Sequence, residues 1–332
     1  MSRATINDVS ALAGVSIKTV SRVINNEKYV GKETRAKVQA AIGELHFSPS
    51  QAARSLAGKR SFQVALVYDN PSPYYVYEMQ AGVRARCAAE HVRMFAQPYD
   101  RSAAGIAEEI GALVDELKLD GLILTPPVCD DAQLLSDLEA RGLRYVRVSP
   151  AAASDTAPSV AIDNEGAAYQ MTQYLCTLGH RLIGFIAGDP AFATSAQRRA
   201  GYDRALREAG IVPDPALIRR GEYSFGSGDA AATALLMLSP RPTAIFASSD
   251  DMAAGALAAA HRLGVSVPGQ VSIAGFDDSA LAEVVWPPLT TIRQPTRDMA
   301  YAAADLLFDT AARGEARLIE HRLIVRGSTS AI

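Results

Sequence analysis

Apolar and polar positions repeat with two different periods along this chain. Up to about residue 60 the period is helical. Ile6, Val9, Leu12 and Ala13 share one face of a short segment that Thr5 is suited to cap, with Asp8 in its first turn and Gly14 as a stop. Ser16 caps a second helix, 17–25, whose Val20, Val23 and Ile24 turn back toward the first. A third helix, about 32–45, brings Val38, Ala41, Ile42 and Leu45 to close a small core. Pro49 stops it, and Ser50 can cap one or two further turns ending at Gly58, too short to be stable alone.

From Ser61 onward short apolar runs alternate with helical stretches rich in Ala, Leu and Glu. The runs 64–68, 92–96, 121–124 and 145–148 form one set; 160–162, 182–187, 217–221, 244–247 and 272–274 form a second. Buried strands alternating with helices imply parallel sheets covered on both faces. Two sets predict two similar subdomains, with 289–294 and 318–325 crossing back between them or adding edge strands. The fold class is therefore α/β with a helical front end: a helix–turn–helix domain (1–48), a hinge helix or linker (49–60) and a two-lobed body (61–332). Ligands of such bodies bind outside the carboxyl ends of the strands, in the cleft between halves.

Composition narrows the class. With 48% hydrophobic and 21% charged residues the chain folds as a globular protein. Its most apolar runs fall far short of a membrane span and no secretory signal opens it, so a cytoplasmic location with no membrane partner is expected. Cys87, Cys129 and Cys176 form neither a metal-ligand pattern nor a disulfide framework and read as apolar residues. The net charge of −3 hides an asymmetry. Residues 1–60 hold ten basic and four acidic groups, a balance of +6, whereas the rest hold 23 and 32, a balance of −9. A cationic end on an acidic body suits contact with a polyanion through one domain.

The helical spacing sharpens that reading. Ile17, Lys18 and Arg22 face outward near the start of the second helix, where a recognition helix presents side chains to base edges in the major groove. Thr19, Ser21 and Asn25 flank that face as phosphate ligands, and the capping residues Thr5 and Ser16 belong to the same DNA-contacting set. Ala53 and Leu56 suit a minor groove, Leu56 as an apolar wedge at a base step, or else an exposed linker.

In the body, Tyr74 and Tyr75 follow the first strand and can stack on a flat apolar face such as a sugar ring. Arg147 and Ser149 share one face of a strand. A guanidinium there needs a partner, either a ligand or an internal carboxylate. Asp163, Arg198, Tyr223, Ser249 and Asp277 sit at or after later strand ends. Carboxylates and guanidinium groups around aromatic rings suit a polyhydroxylated ligand. Gly226-Ser227-Gly228-Asp229-Ala230-Ala231 approaches a dinucleotide fingerprint but lies late in the chain, and reads instead as a helix N-terminus. Asp250/Asp251 and Asp277/Asp278 have no nearby His and read as capping or hydrogen-bonding groups rather than metal ligands. His180 reads as structural. No metal, cofactor or catalytic set is expected.

Thr5-Ile6-x-Asp8-Val9-x-x-x-Ala13-Gly14-Val15-Ser16-x-x-Thr19-Val20-Ser21-Arg22-Val23-Ile24-Asn25 resembles the opening signature of the lac-repressor (LacI/GalR) family. Pro49-x-x-x-Ala53-Arg54-Ser55-Leu56 resembles that family's hinge helix. Leu178-Gly179-His180-Arg181-x-Ile183-Gly184-Phe185-Ile186-x-Gly188, Arg198-x-x-Gly201-Tyr202, Gly275-Phe276-Asp277-Asp278 and Pro288-Leu289-Thr290-Thr291-Ile292 extend the likeness through the body. The resemblance implies a homodimeric repressor on double-stranded DNA carrying an inverted-repeat operator, a periplasmic-binding-protein-like body, and Arg198 and Asp277 as effector ligands. The effector it implies is a small molecule, most readily a sugar; a purine-type corepressor is the alternative, and a nicotinamide enzyme a remote one. Ser249 stands where many members carry Asn, and Ser149 replaces a frequent acidic residue.

Overall fold

The computed structural model describes residues 4–24, 29–47, 60–101 and 105–332. The chain divides into two compact units, Met1–Phe62 and Gln63–Ile332.

In the first unit, α1 (Ile6–Ala13), α2 (Ile17–Ile24) and α3 (Lys32–Glu44) close on Val9, Val20, Val23, Val38 and Ala41. Leu12 is the exception to the expected face: it is 47% exposed, because so small a core is filled by the valines and leaves Leu12 at its rim. Asn25, Pro49, Ala53 and Leu56, and with them the expected hinge helix, lie outside the described residues.

The second unit contains two parallel sheets. The first takes the order β11-β5-β4-β3-β1-β2, with β1 (Gln63–Tyr68), β2 (Arg93–Pro98), β3 (Gly121–Leu124), β4 (Arg144–Val148), β5 (Ser159–Ala161) and β11 (Ala316–Leu318). The second takes the order β7-β6-β8-β9, with β6 (Ile183–Ala187), β7 (Ile218–Arg220), β8 (Ala244–Ala247) and β9 (Ser272–Ala274). Successive side chains on the central strands of the first sheet enter different cores, as a two-residue period requires. Val64 and Leu66 pack with Ile123 and Val146 on one face of the first sheet, whereas Ala65 and Val67 pack with Leu122 and Leu124 on the other.

One expectation fails here. The run 160–162 was expected to open the second lobe, yet β5 pairs parallel to β4 in the first sheet. The crossover follows it, through a helix at Asn164–Thr177 that packs against another at Ala193–Glu208 in the second lobe. The chain returns after β10 (Thr291–Arg293), when the helix Thr296–Phe308 packs on the helix Pro73–Ala89 of the first lobe. It leaves again after β11 so that β12 (Arg322–Ile324) pairs antiparallel to β10.

A close helix contact explains Gly228 in the run that imitates a dinucleotide motif. Ser224 and Ser227 form a capping box at the start of the helix Phe225–Leu236. A Cβ on Gly228 would lie 2.3 Å from the Met252 carbonyl oxygen, and one on Gly255 would lie 2.2 Å from that of Phe225. Two backbones thus meet where no side chain fits. Gly255→Ala is expected to cost about 1–3 kcal/mol by overpacking, read as a lower urea midpoint with an unchanged slope. An unaltered midpoint would mean that the two helices are free to part.

Candidate functional site

In the first unit the caps build the turn between α1 and α2. The Thr5 amide donates to Asp8 Oδ2 at 2.7 Å and the Asp8 amide to Thr5 Oγ1 at 3.4 Å, a reciprocal capping box. Those Thr5 hydrogen bonds hold the Asp8 carboxyl below its usual range. Gly14 takes φ 65°, the left-handed conformation that closes a helix, and the Thr19 amide donates to Ser16 Oγ at 3.2 Å. Thr5 and Ser16 therefore act as caps in this structure. With Val20 and Val23 buried, Ile17 (49% exposed), Lys18 and Arg22 face outward. Thr19 and Ser21 are half-buried at the edge of that face.

In the second unit, loops at the carboxyl ends of strands from both sheets surround a tight cavity of about 40 Å³, lined by Asn70, Ser72, Tyr75, Pro126, Ser149, Phe192, Thr194, Arg198, Tyr223, Ser249, Asp277 and Gln294. Six of these were singled out from sequence: Tyr75, Ser149, Arg198, Tyr223, Ser249 and Asp277. Asn70, Ser72, Pro126, Phe192, Thr194 and Gln294 were missed, although each belongs to the loop or the helix start that follows a strand.

Arg198 is buried and held from several sides. Its Nε donates to Asn164 Oδ1 at 3.0 Å, Nη1 to the Ser248 carbonyl at 2.6 Å and Nη2 to Gln294 Oε1 at 3.4 Å. The guanidinium lies 3.6 Å from the centroid of the Phe276 ring. Asp277 follows β9 with φ 114°. Among the described residues no side chain donates a hydrogen bond to its carboxylate. Burial raises its pKa well above the ordinary value, Arg198 opposes that shift, and Asp250 and Asp251 add to it. Ser149 (φ 46°), Tyr223 (φ 56°) and Asp278 (φ 54°) also adopt left-handed backbone, so conformational strain gathers around this cleft.

Tyr223 is placed by a hydrogen bond between its hydroxyl and Ser195 Oγ (2.6 Å) and by an edge contact with Phe192 at 5.2 Å. Ser249 accepts from the Met252 amide at 3.2 Å as the cap of the helix Asp250–Arg262, so part of its polar capacity is already used. Tyr75 is half-buried, and burial pushes its phenol far up.

Three sequence-derived candidates lie elsewhere. Arg147 pairs through Nη2 with Asp130, and its Nε donates to the Cys129 carbonyl at 2.6 Å, so its partner is the internal carboxylate. Asp163 caps the helix Asn164–Thr177, accepting from the Gly166 amide at 2.7 Å. Tyr74 lines a neighbouring open groove with Tyr77, Glu78, Arg293 and Arg297. Consecutive helical residues point about 100° apart, so Tyr74 and Tyr75 cannot both face the cavity.

The other polar candidates have structural partners. His180 is buried between Thr243 Oγ1 (2.9 Å) and Ser272 Oγ (3.1 Å). Asp278 pairs with Arg293 and Arg326, and Asp251 accepts from Ser72 Oγ at 2.7 Å. Asp250 is fully buried and accepts from Thr291 Oγ1 and the Ser279 amide, each at 2.7 Å. Burial pushes its carboxyl up to about 7 against those two hydrogen bonds, with the Asp278 charge adding to the rise. A folded pKa above the unfolded one gives stability that is full below the unfolded value and lost as pH rises through the folded value. Wild type should therefore lose stability relative to Asp250→Asn between about pH 4 and pH 7, as measured by urea unfolding. A difference that stays constant with pH would contradict the assignment.

A helix–turn–helix unit followed by a two-lobed α/β body with a cleft at its strand ends defines a ligand-responsive DNA-binding protein. Comparison with known proteins agrees. Residues 5–50 match the family described as bacterial regulatory proteins, lacI family, and residues 172–329 match the periplasmic binding protein-like domain. The HTH-type transcriptional regulator CelR of Thermobifida fusca is 38% identical over 312 residues, 92% of each chain. The ribose operon repressor of Haemophilus influenzae is 33% identical over 305 residues, 92% of this chain and 91% of its own. Among solved structures, a lac repressor dimer bound to operator and the anti-inducer ONPF has TM-score 0.82 at 29% identity, covering 99% of this chain and all of that one. A complex of the transcriptional regulator CelR with cellobiose has TM-score 0.75 at 33% identity, covering 98% and 100%. The chain belongs to the lacI family of bacterial regulatory proteins and is a DNA-binding transcriptional regulator. Among the described residues no helix is long and apolar enough to cross a membrane.

Proposed function

We propose that this regulator is a cytoplasmic homodimeric repressor whose operator affinity is set by an uncharged polyhydroxylated effector, a sugar, in the cleft. It acts by binding rather than by turnover. The observation that carries the reading is that Arg198 and Asp277 line one cavity walled by Tyr75, Phe192 and Tyr223. Asp277 offers acceptors to ligand hydroxyls, and the aromatic faces suit the C–H surface of a sugar ring. The CelR–cellobiose and ribose-repressor relatives support a carbohydrate.

On the DNA, Ile17, Lys18 and Arg22 read base edges, whereas Thr19, Ser21 and Asn25 contact phosphates. Thr5 and Ser16 contribute by fixing the helix ends, and Ala53 and Leu56 enter the minor groove at the centre of an inverted repeat. The effector acts by binding the DNA-competent and incompetent forms unequally. A purine corepressor is the second reading, favoured by relatives named as PurR repressors at 35% identity. The loop 190–195, which brings Phe192 to the cavity, carries no basic residue to grip a purine carbonyl, and that argues against it. Operator binding at one fixed salt concentration, across ribose, cellobiose, other sugars and purine bases, tests both. A shift with a sugar supports the proposal; a shift with a purine base alone replaces it.

A further inference from the structure

Arg101 follows β2 on the first lobe, yet its guanidinium reaches the second. Its Nη2 donates to Asp189 Oδ2 at 2.8 Å, just past β6. Its Nε lies 3.2 Å from Asp69 Oδ2, just past β1. The same group lies 5.3 Å from the centroid of Phe192, a wall of the cavity. One cation therefore joins two carboxylates of opposite lobes and rests on an aromatic ring that an effector would touch.

We propose that Arg101 is a latch that holds the cleft shut around its ligand, drawing Asp69 and Asp189 onto one guanidinium. Without Arg101, the two carboxylates would face each other across the cleft with only Arg220 of the second lobe, 3.7 Å from Asp189 Oδ1, to offset their charge, which favours separation. Burial raises the pKa of Asp69 and Arg101 opposes that shift, in keeping with a carboxylate that depends on this cation. The Asp189 side chain is 8% exposed and is further fixed by accepting the Ala191 amide at 2.9 Å, so the second-lobe anchor is rigid. Arg101 is 37% exposed, which makes the contact breakable rather than permanent. A second tie, Ser72 Oγ to Asp251 Oδ2 at 2.7 Å, also runs from the first lobe to the second. Loss of Arg101 is thus expected to loosen closure rather than unfold the body.

The latch deepens the effector reading of this cleft, and its test separates the two. Hydrogen exchange on the full-length, ligand-free protein is compared for wild type, Arg101→Ala, Asp189→Asn, the double variant and Arg101→Lys. Each single variant is expected to speed exchange about tenfold in segments 69–75 and 189–195, the double no more than either single, and Lys to recover part of the loss. Dissociation of ribose or cellobiose, whichever binds, should be about tenfold faster from Arg101→Ala. Unchanged exchange in the single variants, or additive effects in the double, overturns the latch. Coupled exchange supports it even where neither sugar binds, an outcome that counts against ribose and cellobiose as effectors and not against the latch.

Discussion

Arg198→Leu is expected to abolish the effector response while leaving operator binding near its wild-type value. Leucine removes the donors that hold Asn164, the Ser248 carbonyl and Gln294, and it removes the cation beside Asp277. Truncating a buried, hydrogen-bonded charge at a binding site typically costs about 2–5 kcal/mol of affinity, so effector affinity should fall at least about thirtyfold. Arg198→Lys keeps the charge without the planar set of donors and should lie between. Calorimetric titration of the effector, paired with operator binding at the same salt, checks both variants, and circular dichroism confirms that each is folded. A normal effector response in Arg198→Leu would remove Arg198 from the site.

Arg22→Ala should have the opposite profile. The side chain is exposed on α2, so thermal stability should change by no more than about 0.5 kcal/mol. Operator affinity should fall by about 1–3 kcal/mol, roughly ten- to a hundredfold, with discrimination relaxed at one base position. A merely electrostatic contact would instead weaken all sequences equally and lower the salt dependence. Binding measured on the operator and on single-base variants of it distinguishes the two.

Much of this architecture was legible because local chemistry and periodicity agree. Thr5, Asp8, Gly14 and Ser16 punctuate the first helices with residues suited to those positions, and the valines share the 3.6-residue spacing. The β3 run Gly121–Leu124 and the β8 run Ala244–Ala247 are wholly buried, as parallel strands between helical layers should be. What escaped was long-range pairing. Nothing in the three residues Ser159–Ala161 states which sheet they join, since a buried strand looks alike in either lobe. Arg147 was recognised as needing a partner, but the turn that brings Asp130 to it has no period to betray it. Asp163 could have been recognised as a cap, because it stands immediately before a helix. The missed cavity residues follow the strand-end rule but carry unremarkable side chains. Phe192 and Gln294 acquire meaning only beside Tyr223 and Arg198.

In the proposed mechanism one cleft ligand and one DNA site share a single conformational equilibrium. Thermodynamic linkage makes that reciprocal: whatever factor an effector imposes on operator affinity, operator must impose on effector affinity. The direct measurement is effector Kd, by titration of the wild-type dimer at fixed salt, with and without saturating operator DNA. An inducing effector is expected to bind operator-loaded dimer more weakly by the same factor, about tenfold or more, with no such shift on DNA lacking the inverted repeat. Equal effector affinity with and without operator would contradict the mechanism.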